Sequence, residues 1–192
     1  APVALTPFAV PSDAAVAAAR QALSHGESAA LLLSDPVVSG EGLELAGAIA
    51  AATGARLYCD TFVGAMARGV GRPFVRRLPY FAEAVEEELK GVSHLVLVST
   101  KAPVAFFAYP GRRGALTPEG AEVVTLARPN EDALAGLRAL AEAVGATGRE
   151  PVRASAMQPG LPSGALDPMK AGAIIGRFLP AGAIVSDEGA TH

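Results

Sequence analysis

The chain has no tryptophan, one cysteine and three histidines in 192 residues. Each scarcity removes a class of protein. A lone thiol, Cys59, excludes an intrachain disulfide framework and fits a reducing compartment, so a cytoplasmic setting is expected. The histidines stand far apart at positions 25, 94 and 192, with no second ligand at helical or hairpin spacing, so no metal site is expected. His25 reads as a helix C-terminal residue and His94 as a structural residue entering a strand. Basic runs never exceed the pairs Arg76-Arg77 and Arg112-Arg113, and the net charge is −3, which gives nucleic-acid binding no electrostatic support. No apolar run approaches a membrane span, and neither a P-loop nor a G-x-S-x-G elbow occurs.

What the sequence does hold is apolar. Hydrophobic residues make up 51% and aromatic residues only 5%, a balance that suits helices packed closely on a sheet. Residues 1–11 read as a proline-punctuated lead-in. Ser12 or Asp13 then caps a helix that ends at His25-Gly26. The run AALLLS over 29–34 is short, continuous and apolar, as expected of a strand covered on both faces in a parallel sheet. A helix from about Gly40 to Thr53 stops at Gly54, and Arg56 to Cys59 forms the next strand. Residues 60–78 read as an irregular crossing with one helical turn near Gly64 to Ala67. Pro79 opens a third helix, followed by strand Leu95 to Ser99, a short aromatic segment Val104 to Tyr109, and strand Val123 to Ala127. Asn130 is the expected cap of a fourth helix. Alternating helices and buried strands predict an α/β layer fold built on a parallel sheet.

Composition changes over 147–165, which is rich in Gly, Pro and Ser and reads as an interdomain linker. Asp167-Pro168 restarts a helix, Pro180 closes it, and Ala183 to Ser186 is the expected strand of a following domain. The chain ends on a small-residue loop with no helix after it and begins with Ala rather than Met. The expectation is therefore a piece of a longer enzyme.

Candidate chemistry is sparse, and no catalytic residue is assigned. Cys59 is a conceivable nucleophile but lacks a cationic neighbour in sequence. Gly69-Val70-Gly71 has no strand before it and Arg72-Pro73 after it, the wrong context for a dinucleotide loop. The loop Ser34 to Gly40 is better placed, at the carboxyl end of a strand and before a helix. Asp35 there opposes a phosphate and the usual glycines are missing. An adenine-nucleotide or FAD-binding module using this crevice is the alternative reading. At the end of the chain, Gly189, Ala190 and Thr191 follow a strand and offer amides and a hydroxyl to an anion.

The order of segments is more specific. ALLLS, RRLPYFAEAVEEELKGVSHLVLV, KAPVAFFAYPG, LTPEGAEVVTLA and LDPMKAGAIIGRFLPAGAIVSDEGATH together resemble thiamine diphosphate-dependent enzymes of the acetolactate synthase, benzoylformate decarboxylase and pyruvate decarboxylase group. The resemblance covers nearly the whole chain. It implies a central domain over residues 12–146, a Rossmann-like three-layer sandwich with a mostly parallel six-stranded sheet. Residues 166–192 would open the diphosphate-binding domain. It further implies thiamine diphosphate and magnesium as cofactors of the parent enzyme, acting on a 2-keto acid. Glu188, Gly189, Ala190, Thr191 and His192 are placed by it against the diphosphate. The family's activating glutamate and its G-D-G…N metal motif are absent from these residues, so the piece is expected to be inactive alone and to bind no cofactor. Its expected partners are the missing N- and C-terminal domains, in a homodimeric or homotetrameric parent. The loop SDPVVSG departs from flavin-binding members, which puts FAD in doubt.

Overall fold

The computed structural model describes residues 7–108 and 110–186. Contacts divide the chain into two compact units, Ala1–Ala154 and Ser155–His192. In the first, α1 (Asp13–Leu23) precedes β1 (Ala29–Leu33), and α2 (Gly40–Thr53) carries the chain to β2 (Arg56–Cys59). A long crossing reaches the two-residue β3 (Arg76–Arg77), then α3 (Ala82–Glu88) and β4 (His94–Val98). An excursion of irregular backbone follows before β5 (Glu122–Ala127) and α4 (Ala133–Ala143).

The sheet has five strands in the order β3-β2-β1-β4-β5, and every pair is parallel. That is Rossmann-like, although the expected sixth strand is not among the described residues. The aromatic segment from Val104 makes only one antiparallel bridge, to Ala115, with Ala105 N–H donating to Gly114 O and Leu116 N–H to Pro103 O. Its bonds are spent on this local ribbon, so it does not extend the sheet; Tyr109 lies outside the described residues.

All five residues of β1 are fully buried. Alternation explains how. Leu31 and Leu33 join Leu23 of α1, Leu43 and Ile49 of α2 and Leu137 and Leu140 of α4 in one core. Ala30 and Leu32 join Tyr58, Val85 of α3, Leu89 and Leu95 in a second core on the other face. Each such buried leucine contributes about 1.5–3 kcal/mol.

Most boundaries follow local chemistry. Ser12 Oγ accepts from Ala15 N–H at 3.2 Å and caps α1. Gly54, at φ 76°, ends α2 in the left-handed conformation that glycine adopts without strain. The cap of α4 is Asp132, accepting from Ala135 N–H at 2.9 Å, rather than Asn130. Asn130 instead sits in the preceding turn, where Glu131 N–H donates to Arg128 O. No helical turn forms at 64–67: the Ala67 amide donates out of the segment to Val38 O at 3.1 Å, and the Gly64 and Ala65 amides donate to the Asp35 carboxylate.

Residues 147–154 are held within the first unit. Phe74 N–H donates to Val152 O, Ala154 N–H to Arg72 O and Gly71 N–H to Ala154 O. In the second unit, α5 (Pro168–Phe178) is capped by Asp167, which accepts from Lys170 N–H at 2.8 Å. No residue of α5 is buried. Residues 183–186, expected as a strand, pair with no strand among the described residues, and Ile184 is 97% exposed.

Two glycines of α2 permit close approach. A Cβ on Gly42 would stand 2.7 Å from the Val37 Cα, and one on Gly47 would stand 2.7 Å from Pro151 and 2.8 Å from Pro73. The Gly42 neighbour is backbone and cannot rotate away. Gly42→Ala is therefore expected to destabilise the fold by about 1–3 kcal/mol despite alanine's better helix propensity. The denaturant midpoint checks this; an unchanged or raised midpoint contradicts it.

Candidate functional site

Open parallel sheets present ligand crevices beyond the carboxyl ends of their strands, where the chain leaves a central strand in opposite directions. Here that point lies between β1 and β4. Three loops meet around it: residues 34–39 after β1, Asp60 onward after β2, and Ser99-Thr100 after β4.

The crevice is occupied by the protein's own side chains. Asp35 accepts from Gly64 N–H at 2.6 Å and Ala65 N–H at 3.4 Å, drawing the post-β2 crossing over the loop. Ser99 Oγ donates to Asp35 O, and Ser99 N–H donates to Ala127 O at 2.9 Å. Ser99 is held at φ 58°, a left-handed conformation that costs a non-glycine residue about 1–2 kcal/mol. Val37 and Val38 are buried beneath. The loop thus presents a carboxylate and apolar side chains where a pyrophosphate needs free amides, and it does not fit the FAD or adenine nucleotide of the alternative reading.

Next to it, Thr100 Oγ1 lies 2.8 and 2.6 Å from the two Asp60 carboxylate oxygens and donates to that carboxylate. Burial pushes the Asp60 pKa up, while the hydroxyls of Thr100 and Ser34 pull the other way and the Asp35 charge adds to the rise. A cavity of about 210 Å³ opens here, lined by Asp60, Thr100, Lys101 and apolar side chains. Phe62, Tyr80, Phe81, Phe106 and Phe107 make edge, tilted and stacked ring contacts beside it, with centroids 5.1–5.8 Å apart. None of these residues was singled out in the sequence. Their signal was positional: Asp60, Ser99 and Thr100 each fall one or two places past a strand end.

Of the residues assigned to the diphosphate, Glu188, Gly189, Ala190, Thr191 and His192 all lie outside the described residues. Cys59 is fully buried, and desolvation raises its thiol to about 11, so it is no thiolate nucleophile near neutral pH. His25 and His94, distant in sequence, stack with ring centroids 3.7 Å apart. His94 Nδ1 is 2.9 Å from Ser93 Oγ, and its Nε2 is 3.7 Å from a Glu122 oxygen. Among the described residues no group of three or more His, Cys, Asp or Glu could hold a metal, and no helix is long and apolar enough to cross a membrane.

The fold is a parallel, Rossmann-like α/β domain, and its relatives narrow the class. No family model matches the chain. It is 46% identical over 169 residues to a candidate acetolactate synthase large subunit, IlvX, of Mycobacterium tuberculosis (strain ATCC 25618 / H37Rv), covering 88% of this chain and 32% of that protein. Among solved structures it resembles the Rhodococcus jostii RHA1 thiamine diphosphate-dependent 4-hydroxybenzoylformate decarboxylase, with a TM-score of 0.58 and 17% identity. That match covers 90% of this chain and 35% of the decarboxylase. A candidate thiamin diphosphate-dependent enzyme from Mycobacterium smegmatis matches with a TM-score of 0.51 and 21% identity, over 73% of this chain and 30% of its own. The chain is thus similar in sequence to an acetolactate synthase large-subunit relative and in fold to two thiamine diphosphate-dependent enzymes, and it spans about a third of the length of the relatives it matches.

The Asp60 environment makes a signed prediction. A carboxyl whose folded pKa lies above its unfolded value favours folding most when protonated, and that contribution fades as pH rises through the folded pKa. Asp60→Asn, which keeps an acceptor for Thr100, should therefore be more favourable to stability, relative to wild type, at pH 7 than at pH 3.5. Denaturant melts of both proteins at the two pH values check it; a stability of the variant relative to wild type that falls from pH 3.5 to pH 7 contradicts it. Asp35→Ala should separately speed hydrogen exchange at the Gly64 and Ala65 amides by about tenfold or more, while leaving β1 amides protected.

Proposed function

We propose that this polypeptide is the central domain, with the opening helix of the diphosphate-binding domain, of a larger thiamine diphosphate-dependent enzyme acting on a 2-keto acid. Identity of 46% across 169 residues to the acetolactate synthase-like relative carries the reading. The likeness of fold to two thiamine diphosphate enzymes supports it. The domain's own task is structural. A sheet buried on both faces, with its crevice bonded shut by Asp35 and Ser99, holds its surfaces in fixed relation and offers no reacting group. When bound, thiamine diphosphate supplies a carbanion nucleophile, and magnesium anchors its diphosphate. Residues 188–192 are our proposed contribution from this chain to the diphosphate, with domains on either side completing the site in a dimer or tetramer. A cytoplasmic location goes with the same reading.

The test compares two proteins. The 192-residue chain, given thiamine diphosphate and magnesium, should release no carbon dioxide from pyruvate or benzoylformate. The full-length gene product should release it from at least one 2-keto acid. Turnover by the chain alone, or a full-length product without any such activity, contradicts the proposal. Calorimetric titration with FAD and ADP should show no saturable binding up to about 1 mM, an affinity near −4 kcal/mol. A tighter midpoint for either favours a nucleotide-binding module.

A further inference from the structure

The cavity beside Asp60 has no part in the structural role above. Its floor is Leu78, Val85 and Leu116, each under 5% exposed. Its rim is Phe62 and Phe106, 56% and 45% exposed, with ring centroids 5.1 Å apart. Tyr80 stacks on Phe106 at 5.4 Å and steadies that rim. Asp60, Thr61, Thr100 and Lys101 interrupt the apolar lining, and the Thr61 hydroxyl is spent on Pro79 O at 3.0 Å. A volume of 210 Å³ exceeds the roughly 150 Å³ in which an apolar protein cavity takes up benzene.

We infer that this cavity is a binding site for a small aromatic molecule bearing a hydrogen-bond donor, a phenol in chemical class. Lining sets the ring: an aromatic rim and an aliphatic floor suit a flat apolar group. The polar edge sets the substituent. Thr100 already donates its hydroxyl to Asp60, so the carboxylate faces the cavity as an acceptor with lone pairs to spare. A donor placed there makes a charge-assisted hydrogen bond in partly desolvated surroundings. The position agrees with the general habit of open α/β sheets, beyond the carboxyl ends of β2 and β4.

Amide-resolved NMR titration of the 192-residue chain tests it, using phenol and toluene as probes. Phenol should produce saturable shifts at the Asp60, Thr100 and Leu116 amides with a dissociation constant of about 1 mM or below. Toluene should bind about tenfold more weakly, and Asp60→Asn should weaken phenol about tenfold while leaving toluene unchanged. Leu116→Phe, which fills the floor, should abolish the saturable shifts. Should that variant fail to fold, the wild-type and Asp60→Asn titrations still decide. Phenol shifts that do not saturate at these amides overturn the inference, as does equal binding of toluene.

Discussion

The structure depends on the complete burial of β1. Five consecutive residues with no solvent exposure need cover on both faces and a hydrogen-bonded neighbour on both edges. α1, α2 and α4 supply one face, and α3 with the post-β4 ribbon supplies the other. β2 and β4 supply the edges. Once these are placed, the carboxyl end of β1 lies between two strands whose chains depart in different directions, and a crevice follows from topology alone.

What the chain does with that crevice separates it from nucleotide-binding domains of similar wiring. Binding folds leave amides free at this point and use glycine to let a phosphate approach. Here Asp35 collects amides from the next crossing, and the Ser99 hydroxyl fastens the loop carbonyl across the gap. The same hydrogen-bonding capacity is turned inward. Rigidity then replaces recognition at the centre, and a small cavity lies to the side, beside Asp60 and the phenylalanines.

Much of the fold was legible because its signals are local. Ser12, Gly54 and Asp167 mark helix ends through side-chain or backbone chemistry that reads directly from sequence. The run AALLL announced a strand buried on both faces. Other features depended on partners that no local pattern reveals. The aromatic segment after β4 carries no local sign of its partner, and its backbone closes on residues 114–116. A helical turn was expected near 64–67, yet the Gly64 and Ala65 amides go to a carboxylate about thirty residues away and the Ala67 amide goes to Val38 O. The site was least legible. Asp60 and Thr100 become partners only when β2 and β4 end at the same level, and His25 meets His94 only through the sheet's register. The residues assigned to the diphosphate fall outside the described part of the chain.

The brevity of β3 has a consequence for how the molecule behaves in company. An outermost strand normally offers a row of bonding groups to any passing polypeptide, and long apolar edges seed aggregation. This one is two residues long, and both are exposed arginines. Arg76 is further engaged with Glu88 at 2.7 Å, which fixes a charge beside the margin of β2. A foreign strand attempting to add there would meet cations and find too little ladder to hold. The sheet is thereby terminated by electrostatic repulsion and lack of length, a safeguard for a protein whose interior is so rich in leucine and valine.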